Sequence, residues 1–195
     1  MATLIVSNLV SLDGYCAGPG GNLGALPMDA AFNAYNAERL RTAGTLLLGR
    51  TTFSMFSAYW PTVADDEAAT AVLRESARMN GVMSKVVVSD SLRLDRTAPW
   101  GDAQVVARQH AYARIAAIKS STQRDVLVFG SHILWNSLLA HGLVDELHLL
   151  VGPVVLAEGV KAFERAPASP LRLIAERRLP DSNTVVLQFS CAGWA

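Results

Sequence analysis

Short apolar runs, each ended by a glycine or a polar turn and followed by a helix-forming stretch, constrain the fold of this sequence most strongly. In the clearest case, Thr45–Gly49 (TLLLG) precedes a helical stretch that begins at Arg50. Runs of the same kind lie at Leu4–Leu12, Lys85–Ser89, Gln104–Ala107 and Asp125–Gly130. Apolar runs of this length are typical of buried strands. Their alternation with helices predicts a mainly parallel sheet with right-handed connections.

The carboxyl-terminal part of the chain breaks this alternation. Asp145–Leu156 is predicted to form one long strand that bends at Gly152-Pro153. Leu171–Leu179 and Thr184–Cys191 alternate in strand fashion around PDSN, which predicts an antiparallel hairpin. We therefore expect a single α/β domain over residues 1–195, with helices flanking a mainly parallel central sheet. Besides the helix after Arg50, helices are expected at Pro27–Ala43, Asp65–Gly81, His110–Lys119 and Ser131–His141.

Composition and charge narrow the classes of function. The 195 residues contain 17 lysines and arginines and 17 aspartates and glutamates, so the formal net charge is zero, which argues against a nucleic-acid partner. The amino terminus has no basic segment before its apolar run, and no run is long enough to span a membrane. Cys16 and Cys191 have neither metal-site nor disulfide-framework spacing. We therefore expect a cytoplasmic protein with free thiols, without a metal site and without a membrane partner.

The junctions between predicted strands and helices are candidate anion sites. A strand that ends at Gly49 and gives way to a helix leaves free backbone N–H groups, and these favour a phosphate. Arg50 adds a guanidinium suited to phosphate oxygens, although an ordinary turn with a surface arginine explains the segment equally well. A second junction lies at Gly130–Ser131, and Ser89 and Ser91 offer hydroxyls suited to a ribose or its phosphate. Two helix N-termini at one sheet edge predict a dinucleotide site, although the G-x-G-x-x-G and Walker sequences are absent.

Five segments of the sequence carry a resemblance to a known family. They are VSLDGYCAG, LLLGRTTF, KVVVS, VLVFGSHILWNSLL and GLVDELHLLVGPVVLAEGVKAF. In content and order they resemble the dihydrofolate reductase-like fold, and most closely the reductase domain at the C-terminus of riboflavin-biosynthesis deaminase/reductases and its stand-alone relatives. The resemblance implies an NADPH-dependent oxidoreductase that transfers hydride to a small planar heterocycle of the pterin, pyrimidine or flavin-precursor type, in a homodimer. An apolar strand at Thr184–Cys191 would otherwise leave an exposed sheet edge, which also favours a dimer.

The resemblance also implies which residues hold the cofactor. Those that match the phosphate-binding segments are Gly49, Arg50, Thr51, Thr52, Ser89, Ser91, Gly130, Ser131, His132, Ile133 and Leu134. Arg50 matches the reader of the 2′-phosphate, the group that separates NADP from NAD. Asp13 and Ala17 match the loop that lies along the nicotinamide and the substrate. The chain departs from the family pattern at Ala157, where a second glycine is usual, and at the bulky His132.

Two aspartates are the candidate catalytic residues. Asp29 lies in LPMD, which resembles the first-helix segment of folate-reducing enzymes in which an aspartate binds the pterin; a plain helix N-cap is the other interpretation. Asp13 belongs to the loop that the family uses at its substrate site, but a turn aspartate before Gly14 fits as well. A non-catalytic nucleotide-binding protein on the same scaffold is therefore the alternative function.

Overall fold

Ten strands and five α-helices form the part of the chain that the computed structural model describes, residues 1–192. The last three residues of the predicted domain lie outside the described residues. The strands are β1 (Leu4–Val10), β2 (Tyr15–Ala17), β3 (Ala43–Gly49), β4 (Ser84–Val88), β5 (Gln104–Val106), β6 (Asp125–Phe129), β7 (Glu146–Val151), β8 (Val160–Lys161), β9 (Arg172–Arg178) and β10 (Val185–Ser190). The helices are α1 (Ala30–Thr42), α2 (Arg50–Val63), α3 (Ala71–Val82), α4 (Arg108–Ser121) and α5 (His132–Ala140). None of these helices combines the length and the apolar character needed to cross a membrane.

Eight of the strands form one sheet in the order β5-β4-β3-β6-β1-β7-β10-β9. β10 runs antiparallel to both of its neighbours, and the other pairings in this sheet are parallel. β2 and β8 pair separately as a short antiparallel ribbon. The predicted α/β fold, with its mainly parallel sheet and its antiparallel C-terminal hairpin, is confirmed.

The central strands are apolar on both faces because helices cover both sides of the sheet. β1 is buried at all seven of its positions. Leu4 and Val6 belong to the same apolar cluster as Trp135 of α5, whereas Leu9 belongs to a cluster with Tyr35 of α1. Burial on both faces explains why a mainly apolar run, interrupted here by the buried Ser7 and Asn8, rather than an alternating one, forms a parallel central strand.

The long strand predicted after Asp145 is wrong at its far end. β7 ends at Val151, and the Gly152 N–H still donates to the Val10 carbonyl at 2.8 Å. Pro153 follows, and because it has no N–H to donate, it cannot continue the ladder. The chain therefore leaves the large sheet here, forms the two-residue strand β8 of the separate ribbon, and rejoins the large sheet only at β9.

The helix predicted to begin at Asp65 is also wrong at its start. α2 continues to Val63, and the acidic residues that follow lie in a turn. α3 begins only at Ala71, because the Thr70 hydroxyl accepts a hydrogen bond from the Leu73 N–H at 3.3 Å and caps the helix there.

The long exposed edge of the sheet lies one strand further out than the sequence predicted. β10 is covered by β9, so β9 carries the unpaired backbone groups. Leu173 and Ile174 of this edge strand are 49% and 40% exposed. A long edge with exposed apolar side chains is a surface suited to further pairing or packing.

We expect the protein to lose stability as the pH falls from 7.5 to 5.5, because of one buried histidine. His148 in β7 is fully buried; its Nδ1 accepts a hydrogen bond from the Tyr35 hydroxyl, and its Nε2 donates to the Glu146 carboxylate, both at 2.9 Å. Burial lowers the pKa of His148 from 6.5, although the Glu146 carboxylate opposes this. The unfolded chain therefore takes up a proton that the folded chain resists, at a cost of at most about 1.4 kcal/mol per pH unit.

Urea unfolding at several pH values measures this slope. The range above pH 5.5 separates His148 from Asp13 and Asp29, whose pKa values lie below the ordinary 3.8 and which therefore destabilise the fold only at lower pH. A His148→Gln variant should show a flatter slope in this range. An identical slope in the variant and in the unchanged protein contradicts the prediction.

Candidate functional site

The carboxyl ends of the parallel strands bring most of the predicted site residues to one edge of the sheet. Gly49 at the end of β3 pairs in register with Val88 of β4, so Arg50 and Ser89 follow at the same level. β6, on the other side of β3, ends just before Gly130. Ligands of parallel sheets bind beyond this edge.

Two helix N-termini meet at this edge and are joined by hydrogen bonds. The Gly49 N–H donates to the Ser131 hydroxyl, and the Ser131 N–H donates to the Thr52 hydroxyl, each at 3.1 Å. Ser131 and the glycine before it both have φ of 51°, a left-handed conformation that turns the chain from β6 into α5. We call these two linked junctions, residues 49–52 and 130–131, the cradle.

The backbone N–H groups at the start of α2 and α5 are left for a ligand. Neither helix has a side chain that caps its N-terminus. Arg50 is exposed, and within residues 1–192 no carboxylate forms a salt bridge with it. Uncapped N–H groups, the two helix dipoles and a free guanidinium together favour an anion with several oxygens, such as a pyrophosphate.

The hydroxyl groups predicted to contact a cofactor have different surroundings. Thr51 and Ser91 are exposed at the sheet edge. Thr52 is buried inside the cradle, where its hydroxyl shapes the backbone. The Ser89 hydroxyl accepts hydrogen bonds from the Ser91 and Leu92 N–H groups at 3.2 and 3.0 Å, and so shapes the turn after β4. Thr51 and Ser91 are therefore better placed than Thr52 and Ser89 to reach a ligand.

The first turn of α5 contains the other predicted phosphate contacts. The His132 Nε2 lies 3.0 Å from a Glu164 carboxylate oxygen. The Ile133 side chain is exposed, and Leu134 packs against the apolar core. The backbone of this turn, rather than its apolar side chains, is therefore the part suited to bind a phosphate.

β1 extends past the end of β6, and some of its backbone N–H and C=O groups face the space beyond β6. Its pairing with β6 stops at Ser7, whereas its pairing with β7 continues to Val10. The Thr3 carbonyl accepts a hydrogen bond from the Val126 N–H, so alternate residues of β1, counted from Thr3, direct their backbone groups toward β6. Leu9 is one of them, and it lies beyond the end of the ladder. A ligand carboxamide, which has both a donor and an acceptor, can pair with the N–H and C=O of such a residue.

Asp13 holds the segment that follows β7. We call this segment, residues 152–164, the strap. The Asp13 carboxylate accepts hydrogen bonds from the Leu156 and Ala157 N–H groups at 3.1 and 2.7 Å. A hydrogen bond from Ser11, together with these two, lowers the pKa of Asp13 from 3.8 to about 2. Asp13 is therefore ionised near neutral pH, and both of its oxygens position the strap.

The strap pairs with the segment that carries Ala17. Ala17 of β2 pairs with Val160 of β8. Ala157, where the sequence departs from the family pattern, has φ of 63°, and a left-handed conformation costs a non-glycine residue about 1 kcal/mol. The hydrogen bonds that Asp13 and Tyr15 make to the Ala157 backbone oppose that cost. The strap therefore keeps its turn although a glycine is missing.

Asp29 caps the N-terminus of α1. One of its carboxylate oxygens accepts a hydrogen bond from the Phe32 N–H at 2.8 Å, and the other accepts one from the Ser182 hydroxyl at 2.6 Å. The Ser182 hydrogen bond is the main reason why the pKa of Asp29 lies below the ordinary 3.8. Asp29 thus has the geometry of the N-cap interpretation, and as an ionised carboxylate it accepts hydrogen bonds but carries no proton to donate.

We expect Asp29→Ala to lower the free energy of unfolding by about 1–2 kcal/mol, because the variant loses the helix cap. Asp29→Asn should lose less, since asparagine caps helices as well as aspartate and its carbonyl can still accept from the Phe32 N–H. Urea unfolding of both variants measures the difference. Equal stability of Asp29→Ala and the unchanged protein contradicts the assignment of the cap.

Sequence reasoning missed the residues that hold the candidate site together. Ser11, Asn136, Glu164 and Ser182 contact predicted site residues or the strap. Only Asn136 could have been noticed in the sequence, because it is a polar residue inside the apolar helix stretch that includes Trp135 and Leu138. The others lie in loops or turns, where no local pattern distinguishes them.

The sequence also matches known proteins. It matches the family model described as RibD C-terminal domain over residues 2–187. It is 27% identical over 161 residues to the uncharacterised Bacillus subtilis protein YyaP. The matched region covers 82% of this chain and 79% of that protein. Among solved structures, a pyrimidine reductase-like protein from Corynebacterium diphtheriae has a TM-score of 0.67 at 13% identity, covering 97% of this chain and 91% of that chain. Dihydrofolate reductase from Enterococcus faecalis, complexed with NADP(H), has a TM-score of 0.61 at 13% identity, covering 96% and 95%.

The match to dihydrofolate reductase concerns the fold. Because it extends over nearly all of both chains, the predicted dihydrofolate reductase-like architecture is confirmed. The family model covers all of the strands from β1 to β9 and the first part of β10. The chain therefore belongs to the RibD C-terminal domain family.

Proposed function

We propose that the protein is an NADPH-dependent reductase that transfers hydride to a small planar heterocycle. The observation that carries this proposal is the cradle, in which two uncapped helix N-termini are joined through Ser131 beside the exposed Arg50. Two such N-termini fit a ligand with two linked phosphates. Membership of the RibD C-terminal domain family and the name of the pyrimidine reductase-like relative support the same class of reaction.

In this proposal the protein binds and orients the cofactor through its backbone. The N–H groups of residues 50–52, 130 and 132–134 bind the pyrophosphate, and Arg50 and Ser91 bind the 2′-phosphate. The backbone of Leu9 pairs with the nicotinamide carboxamide, and Ala17 lies along the ring. NADPH supplies the hydride, so the contribution of the protein is to hold donor and acceptor in a reactive geometry.

The two ionised aspartates limit the chemical class of acceptor that fits this proposal. Asp29 and Asp13 have lowered pKa values, so in this proposal they accept hydrogen bonds from N–H groups of the substrate, and water supplies the proton of the reduced product. Amino groups and protonated ring nitrogens beside a reducible double bond meet this requirement. Pterins, aminopyrimidines and flavin precursors all carry them.

The test of the proposed function is cofactor binding followed by turnover. We expect NADPH to quench tryptophan fluorescence and to raise the melting temperature, and NADH to do so only at higher concentration. Loss of NADPH absorbance with pterins, pyrimidines and flavin precursors then identifies the acceptor class. If neither dinucleotide binds at millimolar concentration, the proposed function is wrong.

A non-catalytic nucleotide-binding protein is the second candidate. The observation that favours it is that both oxygens of Asp29 and of Asp13 are already engaged in hydrogen bonds within the protein. The same experiment separates the two candidates. Saturable NADPH binding without oxidation by any acceptor supports this second function.

We also propose that the reaction takes place in the cytoplasm. Cys16 and Cys191 are buried thiols that form no disulfide within residues 1–192. Unpaired cysteines are typical of a reducing compartment.

We expect the protein to be a homodimer that covers the β9 edge. Leu173 is exposed there, and the neighbouring Phe189 of β10 is only partly buried. Light scattering at micromolar concentration should give twice the mass of one chain. Leu173→Glu should give the single mass, and Val82→Glu, at an exposed site on α3, should not. A monomeric unchanged protein contradicts the prediction.

A further inference from the structure

The strap and the loop before β2 form one hydrogen-bonded unit. Besides the contacts of Asp13, the Tyr15 hydroxyl donates to the Ala157 carbonyl at 3.1 Å. The Ala162 N–H donates to the Gly14 carbonyl at 2.8 Å. β2 and β8 pair between these two points. The loop that carries Asp13 and the strap are therefore expected to move together.

One buried side chain fastens this unit to α5. Asn136 is 2% exposed. Its Nδ2 donates to the Ala162 carbonyl at 2.8 Å and to the His132 carbonyl at 2.9 Å, and its Oδ1 accepts from the Glu164 N–H at 2.9 Å. A buried amide costs free energy unless it makes such bonds. Asn136 therefore forms two hydrogen bonds with the strap and one within its own helix.

A second link joins the strap to the first residue of α5. The Glu164 carboxylate lies 3.0 Å from the His132 Nε2. His132 follows the cradle directly, and Asn136 stands about one helical turn further along. Both links therefore reach the first turn of α5, the one through the His132 side chain and the other through the hydrogen bond from Asn136 to the His132 carbonyl.

We propose that Asn136 is a positioning residue that couples the cradle to the strap. Phosphates bound at the N-terminus of α5 fix its first turn, Asn136 carries this order to residues 162–164, and the β2–β8 ribbon carries it to Asp13. The inference rests on the proposed function, because it takes NADPH as the ligand of the cradle. It adds that the cofactor orders the wall of the acceptor site.

The test is hydrogen exchange followed by mass spectrometry, with and without NADPH. In the unchanged protein, NADPH should slow exchange in the first turn of α2, in the strap and in residues 11–17. Asn136→Leu keeps the side-chain volume but removes the three hydrogen bonds. In this variant the strap should exchange about tenfold faster without NADPH. NADPH should still slow exchange in α2 but no longer in the strap.

Ser137→Ala is the matched control on the same helix. It removes a hydrogen bond to the Tyr112 hydroxyl and no contact with the strap, so it should exchange like the unchanged protein. Strap protection by NADPH that persists in Asn136→Leu overturns the proposal, since a merely structural asparagine would leave the coupling intact. If the unchanged protein binds no NADPH, the proposed function fails, and the faster exchange of the strap without ligand still tests the positioning role by itself.

If Asn136→Leu does not fold, Glu164→Gln tests the coupling between the cradle and the strap instead. The side chain is exposed, so the variant should keep the melting temperature of the unchanged protein. It removes the charge that faces His132 and should weaken NADPH protection of the strap, while α2 remains protected. If NADPH protects the strap of this variant as fully as it protects the strap of the unchanged protein, the coupling is contradicted.

Discussion

NADPH should bind to an Arg50→Ala variant about 10- to 100-fold more weakly than to the unchanged protein, because a charge-assisted hydrogen bond to a phosphate is worth about 1.5–3 kcal/mol. NADH lacks the 2′-phosphate, so its affinity should stay the same. Arg50 is exposed and begins α2, and its removal should leave the fold unchanged. Fluorescence titration with both dinucleotides measures the two ratios.

Arg78→Ala is the control for this experiment. Arg78 is also exposed, but it lies in the second half of α3, shortly before β4 begins, and so at the opposite edge of the sheet from Arg50. Its removal changes the net charge by the same amount without touching the cradle, and both affinities should remain as they were. An equal loss of NADH and NADPH affinity in Arg50→Ala would show that Arg50 does not read the 2′-phosphate.

Gly159→Ala should lower the free energy of unfolding by about 3 kcal/mol, or open the strap locally at a similar cost. Gly159 has φ of 136°, a conformation that side-chain-bearing residues rarely adopt. A Cβ there would stand 3.0 Å from backbone atoms of Gly18 and closer still to the carbonyl oxygen of Ala17. These are backbone atoms of the segment that pairs with β8, so the clash cannot be relieved by rotating a side chain.

Gly81→Ala is the matched substitution without a clash. Gly81 lies in α3, and a Cβ there would meet no atom within 4 Å. Alanine is favoured over glycine in helices by about 1 kcal/mol, so this variant should be slightly more stable. Urea unfolding of both variants, with hydrogen exchange over residues 11–18 and 152–164, distinguishes global from local loss. A Gly159→Ala protein as stable as the unchanged one contradicts the description of the strap.

The sheet could be predicted because its signals are local. Leu46–Leu48 and Val86–Val88 are short apolar runs, and each determines by itself that it is a buried strand. The end of β7 and the start of α3 were mispredicted. In both cases one residue, Pro153 or Thr70, outweighs the apolar or acidic pattern around it.

The site could be predicted only in part, because its contacts join distant parts of the chain. The hydrogen bond between Gly49 and Ser131 spans 82 residues, and the one between Asp29 and Ser182 spans 153. The sequence indicated the two strand–helix junctions, but no local pattern shows that the Ser131 side chain joins them. The cofactor contacts and the role of the aspartates stay predictions until ligand binding is measured.

The burial of β1 on both faces has a consequence for synthesis of the chain on the ribosome. β1 is made first, yet its two neighbours in the sheet begin at Asp125 and Glu146. The nascent chain therefore carries β1 without its first partner until about 115 further residues have emerged, and without its second partner until about 136 have emerged. Pairing over so long a separation is slow, and it favours capture by chaperones or other chains in the meantime. Truncated chains that end before β7 should consequently aggregate rather than fold.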